Sequence, residues 1–145
     1  MNNNKQLSIL LVESDSNTVQ LIRNTLQRVD PISVLEVASS QDELVAILDK
    51  ATIPFFDILL LDLKYEGELN GPLVIDLVRN YPCTQLMPIV ALASQEDFQA
   101  AMASQHPRVN SYLPKPETFE GWAHTLKLFT DYWKATLLSI RVLMI

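Results

Sequence analysis

The stretch "FFDILLLDLKYEG", residues 55–67, decides how the rest of the chain is read. Ile58, Leu59, Leu60 and Leu61 form an apolar run of strand length, and Asp62 follows it directly. Such a run, apolar on both faces, suits a strand buried in the middle of a parallel sheet. A carboxylate abutting it is costly without a partner, so the surroundings of Asp62 matter most. Asp57, at the other end, reads as a solvated turn residue.

Outward from this strand, short apolar runs alternate with amphipathic stretches. "LSILLV" (7–12) is a strand, and Val19, Ile22, Leu26 and Val29 then recur at helical spacing. Pro31 disfavours helical geometry at Asp30 and ends that helix. "ISVLEV" (32–37) reads as the second strand, and Ser40 with Glu43 forms a capping box ahead of "LVAIL". After the loop "GELNG", Val74, Leu77 and Val78 mark a third helix. "PIVALA" (88–93) is strand four, followed by an alanine-rich helix around Phe98 and Met102. "VNSYL" (109–113) is strand five, and the last helix starts near Thr118 with Phe119, Trp122, Leu126, Phe129 and Trp133 on one stripe. Five strands alternating with five helices predict an α/β fold, a doubly wound parallel sheet with helices on both faces. The whole chain, 1–145, reads as one domain with a flexible start over residues 1–6.

The totals narrow the function classes. At 145 residues the chain can bury one sizeable core. With 11 Lys and Arg against 17 Asp and Glu the net charge is −6, which disfavours contact with nucleic-acid phosphates. Cys83 is the single cysteine, which excludes an internal disulfide and, with no signal peptide in view, points to the cytoplasm. No run reaches the roughly 20 apolar residues of a membrane span. His106 and His124 lack metal-ligand spacing to each other or to Cys83.

In a doubly wound sheet, ligands bind beyond the carboxyl ends of the strands. Strand one delivers Glu13, Ser14 and Asp15 there, strand three Asp62, strand four Ala93 and Ser94, and strand five Lys115. Crowded carboxylates resist ionisation unless a cation joins them, and oxygen ligands with room for water suit Mg²⁺. A metal beside a carboxylate and an ammonium makes a site for a phosphoryl group. Plainer uses exist for each residue: Asp15 can cap the first helix, while Glu13 and Lys115 can be exposed strand-end residues.

The segments "ILLVESD", "DILLLDLKYEGELNG", "PIVALAS" and "YLPKP" occur in order, and with them the chain resembles the receiver domains of two-component response regulators. The tail "FTDYWKATL" resembles the single-domain regulators that serve cyanobacterial and bacterial phytochrome kinases. The resemblance implies the flavodoxin-like strand order 2-1-3-4-5. It implies that a histidine kinase passes a phosphoryl group to Asp62, with Mg²⁺ between Asp62, Glu13 and the Lys64 carbonyl. Lys115 would pair with the phosphoryl oxygens, the Lys115–Pro116 bond is a candidate cis peptide, and Tyr112 falls on the family's switch position.

Two departures stand out. The family's second acidic residue after strand one is Ser14 here, and Asp15 replaces it as a metal ligand only if the turn shifts by one residue. Where the family has a hydroxyl, Ala93 stands, with Ser94 next to it. The loop after Asp62 is also one residue longer, carries Lys64, Glu66 and Glu68, and lacks a proline. Two readings follow: a phosphorylatable stand-alone receiver, or a degenerate receiver acting as a phosphorylation-independent interaction module. A haloacid-dehalogenase phosphatase would need an acid where Lys64 stands, and "SDSNT" lacks the glycine of a flavin phosphate loop. Beyond autodephosphorylation, no enzyme activity is expected.

The ending "LLSIRVLMI" (137–145) has seven apolar residues in nine and reads as an apolar extension of the last helix. Together with helix four, strand five and helix five it is expected to form a homodimer surface, with Trp122, Tyr132 and Trp133 as candidate anchors and a core role favoured for Trp122. With no output domain after helix five, signalling is expected to run through protein contacts.

Overall fold

A computed structural model describes residues 5–50, 56–64, 67–103 and 108–143, with side chains except at 102–103 and 138–143. The expectations for residues 1–4, Glu66, His106, the Met102 side chain and the side chains of the tail beyond Leu137 lie outside the described residues.

The strands are β1 (Ser8–Val12), β2 (Val34–Ala38), β3 (Ile58–Asp62), β4 (Ile89–Ala93) and β5 (Ser111–Pro114). They alternate with α1 (Ser16–Val29), α2 (Gln41–Lys50), α3 (Gly71–Arg79), α4 (Phe98–Ala103) and α5 (Phe119–Leu143). All strand pairs are parallel, in the order β2-β1-β3-β4-β5, as expected.

Alternation along the inner strands explains the two covered faces. Ile9 and Leu11, Ile58 and Leu60, and Val90 and Leu92 pack with Ile22 and Leu26 of α1 and with Trp122, Leu126, Phe129 and Trp133 of α5. The intervening Leu10, Val12, Leu59, Leu61 and Ile89 pack with Leu44 and Leu48 of α2 and Val74, Ile75 and Val78 of α3. β3 is buried along its whole length, whereas the edge strand β2 leaves Val34 exposed.

The local signals act where the sequence places them. Ser40 Oγ accepts from the Glu43 N–H, while the Glu43 carboxylate accepts from the Ser39 N–H. Asn70 caps α3 by accepting from the Leu73 N–H, and Gly67 supplies the positive φ of 89° in the preceding turn. Arg79 donates to the carbonyls of Gln85 and Arg108, tying the end of α3 to the connections flanking β4 and β5.

Several expectations need correction. β2 starts at Val34 and β5 at Ser111, each two residues later than the apolar pattern suggests. Ser33 instead bridges the turn after α1, its hydroxyl donating to Asp30 and accepting from the Leu7 N–H. Phe119 is 75% exposed, because it sits in the first turn of α5, at the rim beside Asn17 and Leu21 of α1. Asp57 is not a solvated turn residue: its carboxylate accepts from the Ser8 N–H at 2.8 Å and locks the start of β3 to β1. All described peptide bonds are trans, including Lys115–Pro116, in line with the residual trans preference of X–Pro bonds.

The middle of α5 is tied to the residue that caps the end of α1 by a buried ion pair, Lys134 Nζ to Asp30 Oδ1 at 2.6 Å. Removing one partner of such a pair strands the other charge in a poorly solvated site. Asp30→Ala is expected to cost about 3–5 kcal/mol in urea unfolding, well beyond a surface substitution. A loss within the surface range would contradict this assignment.

Candidate functional site

Sheet register assembles the site. β1 and β3 pair with Val12 opposite Leu61, so the next residues, Glu13 just past β1 and Asp62 at the last position of β3, stand side by side. β4 and β5 pair with Ala93 opposite Pro114, so Lys115 emerges one step beyond, its N–H donating to the Ala93 carbonyl at 2.7 Å. Four elements thus meet at one carboxyl edge.

The two carboxyls are nearly out of reach of water, Glu13 at 2% and Asp62 at 3% exposure. Lys115 Nζ is in ion-pair contact with Asp62 Oδ1. Lys64 Nζ approaches from the other side, 3.6 Å from Asp62 Oδ2 and 3.9 Å from Glu13 Oε1. Its aligned hydrogen bond goes to Ser14 Oγ at 2.9 Å. Both Asp62 oxygens and Glu13 Oε2 are buried without an aligned hydrogen-bond donor. Burial, and then the neighbouring Asp62, push the Glu13 carboxyl up to about 8, against the opposing pull of Lys64 and Lys115. A proton on Glu13 would let it hydrogen-bond Asp62, which is part of the same upward shift.

The remaining residues named from the sequence are engaged differently. Asp15 is exposed and caps α1, accepting from the Asn17 N–H and the Thr18 hydroxyl. These bonds hold its carboxyl below the usual range. The turn has not shifted to bring Asp15 to Asp62, because capping the first turn of α1 satisfies it where it stands. Ser94 Oγ donates to the Asp97 carboxylate and accepts from the Asp97 N–H, a local turn ahead of α4. Ala93 is buried and presents a methyl group. Tyr112 is half-buried in β5, opposite Ala91.

A model of the response regulator receiver domain matches residues 9–127. The chain belongs to the response regulator receiver family. A relative from Leptolyngbya boryana, an uncharacterised 14.6 kDa protein in the sodA1 3' region, is 33% identical over 77% of this chain and 80% of its own. The transcriptional regulatory protein CitT of Bacillus subtilis is 25% identical over 86% of this chain, which spans 53% of CitT. Among solved structures, the phosphorylated cyanobacterial phytochrome response regulator RcpA superposes with a TM-score of 0.71 at 23% identity, covering 91% of this chain and 96% of RcpA. The Mn²⁺-bound response regulator Rcp1 gives 0.69 at 22% identity, with 88% and 94% covered. A receiver domain from Clostridium thermocellum gives 0.66 at 21% identity, with 90% and 98% covered. At these identities the structures show the shared fold. Receiver domains are generally signalling modules that take a phosphoryl group from histidine kinases, and they typically bind Mg²⁺.

The residues of this receiver do not fit a divalent metal as arranged. Two buried carboxylates with unsatisfied oxygens call for a cation, but Ser14 stands where the resemblance expects a third acid. Asp15 is committed to its helix, and the Lys64 ammonium already stands 3.6 Å from Asp62 and 3.9 Å from Glu13. Among the described residues no group of three or more His, Cys, Asp or Glu could hold a metal. The Lys64 side chain is the contribution missed at the sequence level, where only its carbonyl is expected to act. The available clue is a lysine two residues after Asp62 paired with a neutral Ser14.

A group whose folded pKa is raised stabilises the fold below its unfolded value and loses that contribution as pH rises through the folded one. For Glu13 the window runs from about 4.5 to about 8. In metal-free buffer the wild-type melting temperature should therefore fall across this window, and Glu13→Gln should flatten the fall. Parallel profiles for the two proteins in scanning calorimetry would contradict the assignment.

Proposed function

We propose that this receiver accepts a phosphoryl group on Asp62 from the phosphohistidine of a partner kinase and signals through protein contacts. The observation that carries this reading is the buried Asp62 carboxylate, unsatisfied by hydrogen bonds and flanked by two ammonium groups at the carboxyl edge of the sheet. In the transfer, an Asp62 oxygen bonds to phosphorus as the phosphorus–nitrogen bond to the imidazole breaks, and the imidazole takes up a proton. Such transfers need positioning and charge neutralisation more than covalent help. Lys115 faces one Asp62 oxygen and Lys64 the other, so phosphoryl oxygens arriving at Asp62 would meet positive charge on both sides. The Ala93 methyl removes one hydrogen bond the incoming group would otherwise gain.

Incubation with a small-molecule acyl phosphate, followed by intact-mass measurement, tests the reading. A gain of one phosphoryl group that disappears in Asp62→Asn is expected. No gain with any donor would favour the docking-module reading, toward which the missing Ala93 hydroxyl points.

The resemblance to phytochrome response regulators suggests a phytochrome-like kinase as donor, and the chain is proposed to act as a single domain in the cytoplasm. No described helix is long and apolar enough to cross a membrane. Self-association is proposed through α4, β5 and α5 with the tail. On α5, Leu128 and Tyr132 are exposed beside Leu113 and Pro114 of β5, around a groove of about 310 Å³. Trp133 is buried against the core, its ring 5.1 Å from that of Tyr132 in an edge-on contact. Sedimentation should show a dimer, and a monomer at high micromolar concentration would overturn this part.

A further inference from the structure

We propose that the Lys64 ammonium is the resident cation of the Glu13–Asp62 pair and takes the place of a divalent metal ion at this edge. Its placement is fixed at both ends. The Lys64 carbonyl accepts from the Gly71 N–H at 2.7 Å, and the ammonium donates to Ser14 Oγ at 2.9 Å. At Gly71 an added Cβ would stand 2.5 Å from Leu63 Cδ1 and in ordinary contact with the Lys64 carbonyl at 3.5 Å, so glycine makes room for the Leu63 side chain beside the start of α3. From that anchor the side chain reaches both buried carboxylates, at 3.6 and 3.9 Å.

Charge counting supports the exchange. Glu13 and Asp62 bring two negative charges, and Lys64 and Lys115 bring two positive ones. With Glu13 ionised the cluster is balanced without any ion, and with a proton on Glu13 it carries one surplus positive charge. The resemblance expects an acid where Ser14 stands. Replacing that acid by a hydroxyl removes one negative charge, and the hydroxyl in turn accepts from the Lys64 ammonium. A divalent ion entering now would face an ammonium within a few ångströms, in surroundings that screen poorly. It would also have one carboxylate fewer to offset the loss of its water.

The proposal concerns the same edge as the phosphoacceptor reading but does not need phosphorylation to occur. Its test uses Mn²⁺ and Mg²⁺ alone, with no phosphodonor, so either idea can fail without the other. Free Mn²⁺ is followed by electron paramagnetic resonance while protein is titrated in. Wild type should bind no tighter than the millimolar range. Lys64→Gln should bind roughly tenfold tighter or better, since an opposing charge has gone, and Lys64→Arg should behave like wild type. In melting experiments Mg²⁺ should leave wild type unmoved and raise the melting temperature of Lys64→Gln, because a bound ion stabilises only the state that binds it. Micromolar Mn²⁺ binding by wild type, a Mg²⁺-dependent rise in its melting temperature, or no gain in Lys64→Gln would each overturn the proposal.

Discussion

The structure turns on the cost of ending a fully buried strand with a carboxylate and placing a second carboxylate beside it. In water two neighbouring carboxylates repel only weakly. At the carboxyl edge of this sheet Asp62 and Glu13 are both shielded from solvent, and their repulsion grows as screening falls. The fold answers with charge from two directions: Lys115 from beyond β5 on one Asp62 oxygen, and Lys64 from the β3–α3 loop on the other. What remains uncompensated shows in the raised affinity of Glu13 for a proton.

Nothing in this arrangement requires local peculiarity. Parallel pairing with Val12 opposite Leu61 puts Glu13 next to Asp62, and the pairing of Ala93 with Pro114 brings Lys115 to the same level. One-residue slips would turn each strand over and send these groups to opposite faces. The apolar residues that hold the register, Leu10 and Val12 on one face and Ile9 and Leu11 on the other, are therefore also what aims the charged ones. A core of this kind and a reactive edge are two outcomes of the same pattern.

Much of this is legible in the sequence. The apolar run before Asp62 marks β3, the alternation of runs and amphipathic stretches marks the doubly wound sheet, and strand ends mark the edge where Glu13, Asp62 and Lys115 gather. Periodicity reports burial, however, and is silent on where a polar side chain finds its partner. Asp57 looks like a turn residue and proves to hold β1 to β3. Asp15 has two plausible uses in the sequence, and hydrogen bonds from Asn17 and Thr18 select the cap. Lys64 is the plainest case: a flexible side chain in a loop has no periodic signature, and its role depends on Ser14, fifty residues away. Boundaries of β2 and β5 drift for a related reason, since edge strands are only partly buried and their apolar pattern is blurred.

The most direct test is a crystal structure of the protein grown with Mn²⁺, with anomalous scattering recorded at the carboxyl edge of the sheet. The account predicts the Lys64 ammonium beside Ser14 and the two carboxylates, with no anomalous peak among them. A Mn²⁺ peak bridging Glu13 and Asp62, with Lys64 swung out to solvent, would contradict it.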